Sequence, residues 1–324
     1  MAQIAENETH QKQIEAGVSG RIKAHKFEKI LSDEINTKFS IIDITPTKIE
    51  KHTFEGNPAE LLLKYISSFY QEEIKKVESF WLGALATANI GDKIFDENNN
   101  LLKESKSDIL LKINNSDNIG VSVKSCNKKN PTNEQVFFTT AKAFCKLLRE
   151  NNIPVSESAE SALRMFCGDS GYRPLDMIDC SKRTSDPERW FWEELPEKDL
   201  NEWEFIFNKY EFEITKILLQ KAYKNDPYPP KFVLHKYKKH DNINECSVAI
   251  FGLEELCNIS CKYAKFFTTD YVIRKGRFKN DPAVHKAPKF GFIQMQRGGQ
   301  RQHPTQLQFN IKSGYAILID SLLQ

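Results

Sequence analysis

No stretch of the 324 residues approaches the roughly 20 apolar residues of a membrane-crossing helix. The opening "MAQIAENETHQKQIEAG" also lacks the apolar core of a signal peptide. Cysteine is scarce: seven residues, odd in number and scattered, which argues against a disulfide framework and for a reducing, cytoplasmic compartment. Cys257 and Cys261 stand one helical turn apart without a second pair or a nearby histidine, so they read as core thiols rather than zinc ligands. A phosphate-cradling Walker loop, a dinucleotide glycine fingerprint and a Ser–His–Asp nucleophile motif are all missing. So are repeats, low-complexity tracts and clean linkers. What is left is a soluble enzyme or binding protein built as one mixed α/β domain with elaborations, a central mixed β-sheet flanked by helices.

The net charge of +2 points to no partner by itself, but its distribution does. Lysine and arginine crowd into residues 271–301 and again into "KFVLHKYKKH" at 231–240, the local basic stripes that a phosphate backbone attracts. Along the chain, the first 15 or so residues read as mobile, "GRIKAHKFEKILSDEINTKF" as an amphipathic helix and "SIIDIT" as a strand stopped by Pro46. Asn57 and Pro58 open a long helix expected to run through "ESFWLGALATA". "PTNEQVFFTTAKAFCKLLRENN" reads as a helix, 153–198 as irregular, and "KDLNEWEFIFNKYEFEITKILLQKAY" as one long helix. Strands and turns are expected from there to the C-terminal "SGYAILIDSLL".

The stretch "SDILLKINNSDNIGVSVKS", residues 107–125, carries the chemistry. Taken as a hairpin with its turn centred on Ser116, it sets Asp108 opposite Lys124 and Leu110 opposite Ser122. Asp108, Ser122 and Lys124 then share one face, while Ile109, Leu111, Ile113, Ile119, Val121 and Val123 share the other and pack on the core. An acid beside a lysine is by itself an ordinary surface ion pair. A carboxylate, a strand carbonyl and an ammonium group in that order can also hold a divalent cation and steer a water against a phosphodiester.

At these residues the sequence resembles the PD-(D/E)xK nuclease superfamily, and within it the type II restriction endonucleases. Asp108 matches the motif's aspartate and Lys124 its lysine. Ser107 stands at the proline position and Ser122 at the second acid, so two residues of four match, over about residues 105–135. The resemblance implies a restriction-endonuclease-like fold, Mg²⁺ as cofactor, Asp108 and the Val123 carbonyl as metal ligands, and Lys124 as the water-orienting group with Ser122 hydrogen-bonded beside them. Glu134 is then the candidate for the missing carboxylate, with Glu28 and Glu78 as upstream alternatives. Double-stranded DNA as substrate, a homodimer on a palindromic site and a cognate DNA methyltransferase are implied in the same way.

A second informative stretch is "GFIQMQRGGQRQHPTQLQFNI". Gln294, Gln296, Gln306, Gln308 and Asn310 alternate with apolar residues, so a two-stranded ribbon places all five amides on one face. Arg297, Gln300, Arg301 and His303 fall in or beside its loop. Gln and Asn pair bidentately with adenine, and Arg with guanine, in the major groove, which admits a β-ribbon. Arg274, Lys275 and Arg277 are expected to position it through phosphates. The divisions expected are a flexible 1–18, an endonuclease core at 19–270 and a DNA-recognition segment at 271–324. The expected function is Mg²⁺-dependent, sequence-specific hydrolysis of double-stranded DNA. Its rivals are a structure-specific repair or recombination nuclease and a non-catalytic DNA-binding protein with a decayed motif.

Overall fold

A computed structural model of the chain describes residues 8–83, 85, 90–115, 117–126, 128–220, 226–240, 242–273, 283–297 and 305–323. In chain order the elements are α1 (Glu8–Lys38), β1 (Ile41–Ile44), β2 (Thr53–Gly56), α2 (Pro58–Tyr70), β3 (Ile74–Trp81), β4 (Ile109–Ile113), β5 (Asp117–Ser125), β6 (Glu134–Thr140), α3 (Ala141–Glu150), α4 (Glu157–Cys167) and α5 (Pro174–Met177). There follow α6 (Glu197–Lys209), α7 (Glu211–Gln220), β7 (Pro230–Lys236), β8 (Cys246–Gly252), α8 (Leu253–Tyr263), β9 (Phe267–Ile273), β10 (Ala283–Phe290), β11 (Ile293–Arg297), β12 (Gln306–Ile311) and α9 (Tyr315–Leu323). The fold is mixed α/β. The chain divides into two compact units. The first takes the chain through Glu134, then Lys216–Cys257 and the segment from Ser313; the second takes Gln135–Thr215 and Asn258–Lys312. Residues up to Lys312 fall in the second unit and the segment from Ser313 in the first, and residue 19 lies inside α1.

The first unit holds a seven-stranded sheet in the order β1-β3-β4-β5-β7-β8-β2. It is mixed: β5 and β7 run parallel, and the other pairs are antiparallel. The alternation of β4 and β5 sends Ile109, Leu111, Ile113, Ile119, Val121 and Val123 into one core with Phe27, Leu31 and Ile35 of α1 and Leu62, Leu63 and Ile66 of α2. Leu110, on the opposite face, joins a smaller cluster with Leu82, Ile94, Leu102 and Tyr228. Among the described residues no helix is long and apolar enough to cross a membrane.

Helix α2 begins as its sequence requires. Asn57 accepts hydrogen bonds from the Ala59 and Glu60 amides, and Pro58 occupies the first turn. It ends far earlier than expected, at Gln71 in the left-handed region (φ 56°). Ile74, Val77 and Trp81 stand at helical spacing, and only Val77 and Trp81 share a strand face. Pairing of Val77 with Ile113 and of Trp81 with Ile109 decides for a strand. The helix expected over 131–152 is likewise split: Val136 to Thr140 are β-formers and extend as β6, and Thr140 caps α3 through its hydroxyl. Helices α4 and α5 occupy part of the stretch read as irregular, α6 and α7 break at Tyr210, and α8 and α9 replace part of the expected C-terminal strands. Helix α1 starts at Glu8, within residues read as mobile.

The hairpin turn sits one residue earlier than expected. Ile113 pairs with Asp117 and Ile109 with Val121, so the register slips by two and Asp108 stands across from Ser122 rather than Lys124. Asn114 anchors this turn at φ 50°. Its side-chain oxygen accepts from the Lys75 and Lys76 amides, and its amide nitrogen donates to the Glu73 carbonyl. Asn114→Ala removes these bonds and places alanine in the left-handed region, so the urea midpoint is expected to fall by the equivalent of about 1–2 kcal/mol.

The second unit holds a five-stranded sheet ordered β6-β12-β11-β10-β9, wider than the two-stranded ribbon expected. Phe290, Met295, Leu307 and Phe309 are buried on one side of it, where Phe144 of α3 meets Phe309 and Phe207 of α6 stacks on Phe290. The aromatic run near residue 190 and Trp203 belong to this packing, as Phe191, Trp192 and Trp203 are all buried.

Candidate active site

Asp108 immediately precedes β4, and its backbone is tied on both sides. Its N–H donates to the Val121 carbonyl of β5, and its carbonyl accepts from the Leu82 amide after β3. Its side chain is therefore aimed by the sheet. Oδ2 accepts the Val123 N–H at 2.6 Å and the Ser122 hydroxyl at 3.3 Å. The Lys124 ammonium lies 3.6 Å from the same oxygen and donates to Ser122 Oγ at 2.9 Å and the Val123 carbonyl at 3.3 Å. Asp108, Ser122, Val123 and Lys124 thus form one contiguous group. The two-residue slip preserves it, because strand parity is unchanged by an even shift.

Of the three glutamates open from the sequence, Glu28 is the one in the field of Asp108. Phe27, Leu31 and Ile35 of α1 are buried, and Glu28, Ser32 and Asn36 follow one position behind them as a polar seam at i, i+4, i+8. Ser32 Oγ meets Ser79 Oγ at 2.8 Å, and the Asn36 amide bonds the Ser79 backbone in both directions. Helix α1 is thereby keyed to β3, and Glu28, 4% exposed, is held with one oxygen accepting the Trp81 indole N–H. Burial first, then the Asp108 charge, push the Glu28 carboxyl up to about 8; the Trp81 bond and Lys124 oppose this.

Glu78 is exposed on β3 opposite Lys112. Glu134 starts β6 and is not in a helical first turn, so no helix dipole acts on it. Its carboxyl accepts the Thr132 hydroxyl at 2.9 Å and is raised by burial against the pull of Lys124 and Lys128.

Two neighbours were not foreseen from the sequence. Lys106 is half-buried, and burial with repulsion from Lys124 lowers its ammonium to about 8, while Asp108 pulls the other way. His235 pairs across the parallel β5–β7 ladder with Lys124. Both of its ring nitrogens are buried without a hydrogen-bond partner among the described residues, Nε2 is 4.0 Å from Glu134, and burial and Lys124 hold the ring near 3, hence neutral. Among the described residues no three His, Cys, Asp or Glu side chains come close enough to hold a metal ion together.

In the second unit, Gln294 pairs with Asn310 and Gln296 with Gln308, so these amides share a face, and Gln306 follows at the same parity. Gln296 donates to Gln308 at 3.5 Å. Arg297 differs from expectation. It pairs with Leu307, on the face of Met295 and Phe309, and burial and Arg189 lower its guanidinium to about 10. It is turned away from the amides. Arg274, Lys275, Arg277, Gln300, Arg301 and His303 lie outside the described residues.

No family model and no curated protein matches the sequence. Among solved structures, the restriction endonuclease MspI in complex with its cognate DNA aligns over 78% of this chain and 77% of that chain, with a TM-score of 0.42 and 10% identity.

Proposed function

We propose that the protein is a Mg²⁺-dependent, sequence-specific endodeoxyribonuclease of the type II restriction kind. One observation carries this reading: Asp108 and Lys124 held 3.6 Å apart, with Ser122 between them and the buried Glu28 carboxyl in the same field. The donors fit magnesium. Asp108, Glu28 and the Val123 carbonyl offer hard oxygens, and so small a set suits an ion that keeps several waters.

When bound, Mg²⁺ would neutralise charge developing on the phosphodiester and acidify a water. Lys124 orients that water through its ammonium. Ser122 holds Lys124 against Asp108, and the Val123 N–H fixes Asp108. Glu28 supplies the carboxylate that Ser122 cannot, in preference to Glu134 or Glu78. The products are a 5′-phosphate and a 3′-hydroxyl. In this reading the amide face of β11–β12 reads base edges, two copies act on the two strands, and a cognate methyltransferase protects host DNA.

Digestion of phage DNA in Mg²⁺ tests the proposal. Discrete fragments are expected; a smear indicates a nuclease without sequence preference, and intact DNA overturns the catalytic reading.

A further inference from the structure

We infer that the base chiefly read by this protein is adenine, and that methylation of adenine N6, rather than of cytosine C5, blocks its binding. This rests on the proposed sequence-specific DNA reading and narrows it. Three observations converge on the second unit. Gln294 is paired with Asn310 and Gln296 with Gln308 across the strands, the second pair amide to amide, and Gln306 follows in parity. The opposite face is committed to the core through Ile293, Met295, Leu307 and Phe309, while Gln294, Gln296, Gln306 and Gln308 keep partial exposure on the amide face and Asn310 is buried there. Arg297, one of the two loop arginines expected to read guanine, is turned to that apolar side, and the other, Arg301, lies outside the described residues.

Among the described residues of this face, the base-reading chemistry is that of the carboxamide. Its C=O accepts from adenine N6–H and its N–H donates to adenine N7, a bidentate match that guanine, with two acceptors, does not offer. The bond from Gln296 Nε2 to Gln308 Oε1 leaves the Gln296 carbonyl and the Gln308 NH₂ outside it, one acceptor and one donor side by side. A cross-strand pair of this kind presents both halves of the match. Lys289, paired with Gln294, adds a cation on the same face to engage a phosphate. A methyl group on N6 replaces the hydrogen that the carboxamide oxygen accepts and puts bulk in its place. A methyl group on cytosine C5 touches no amide contact.

The test is binding-site selection from a random duplex pool with the full-length protein in Ca²⁺, followed by competition among three versions of the selected duplex: unmodified, N6-methyladenine and C5-methylcytosine. Enrichment of adenine at fixed positions is expected, with binding weakened roughly 10- to 100-fold by N6-methylation and within about twofold by C5-methylation. Gln296→Ala and Gln308→Ala, checked for folding by thermal unfolding, are expected to flatten preference at one adenine and leave the others. A selected site without fixed adenines, equal binding of the N6-methylated duplex, or no enrichment at all overturns the inference. Cleavage of the same pool in Mg²⁺ separates the two claims. Selective binding without cutting sinks the nuclease reading alone, and cutting at adenine-free sites sinks the adenine assignment alone.

Discussion

Asp108→Ala and Lys124→Ala are each expected to lower Mg²⁺-dependent cleavage of plasmid DNA by roughly 10²–10⁴-fold, the cost of losing one positioned charge or proton-handling group in a transition state. Asp108 is the hub of the group: its Oδ2 gathers the Val123 amide, the Ser122 hydroxyl and the Lys124 ammonium. Without it the Val123 N–H is left unpaired, the ammonium loses its counter-charge and the oxygen donors fall to Glu28 and a carbonyl. Lys124→Ala leaves Asp108 tied to Val123, so metal affinity is expected to persist while the rate falls. Affinity for target DNA in Ca²⁺ should survive both changes within a few-fold, because the proposed reading surface belongs to other residues. Wild-type cutting by either variant would dismiss the site. Equal loss of binding and cutting would show that the residues support the fold instead.

Strand parity explains why so much of this group was legible in the sequence. The alternation of "DILLKI" and "IGVSVK" fixes which side chains share a face, and an even register error cannot change that; the slip set by Asn114 moved the partner of Asp108 without moving its neighbours. Parity also held the answer for Arg297, which has the phase of Ile293 and Met295 and so belongs to the buried face. Two kinds of information were out of reach. Residues 74–81 carry Ile74, Val77 and Trp81 at helical spacing, and only the partner strand β4 makes the segment a strand. His235 reaches Lys124 because β7 inserts beside β5 in parallel, a pairing set by sheet order across more than a hundred residues. Glu28 lies between these cases. Its place directly behind Phe27, in step with Ser32 and Asn36, marks a carboxyl at the edge of a buried helical arc. Burial raises it first, and the charge of Asp108, contributed from a distant part of the chain, adds to this and brings it to about 8.

Glu28→Gln is expected to stabilise the protein in alkaline buffer while removing most of its cleavage activity. The folded chain holds the Glu28 proton more tightly than the unfolded chain does, with the carboxyl displaced from 4.5 to about 8. The stability linked to that proton is therefore fully present below about pH 4.5 and is lost progressively as pH rises through about 8. Above that pH the wild type must keep an ionised carboxylate, 4% exposed, beside Asp108. Glutamine keeps the shape and has no proton to lose. The two proteins should thus unfold at similar urea concentrations near pH 4.5 and diverge above it, by at most about 5 kcal/mol and by less where Lys124 compensates. Saturating Mg²⁺ should close the gap from the wild-type side, because the cation favours the ionised carboxyl, and it should do little for the variant. Parallel unfolding curves across pH 4.5–9, or an equal Mg²⁺ effect on both proteins, would remove Glu28 from the group around Asp108 and with it the carboxylate that substitutes for Ser122.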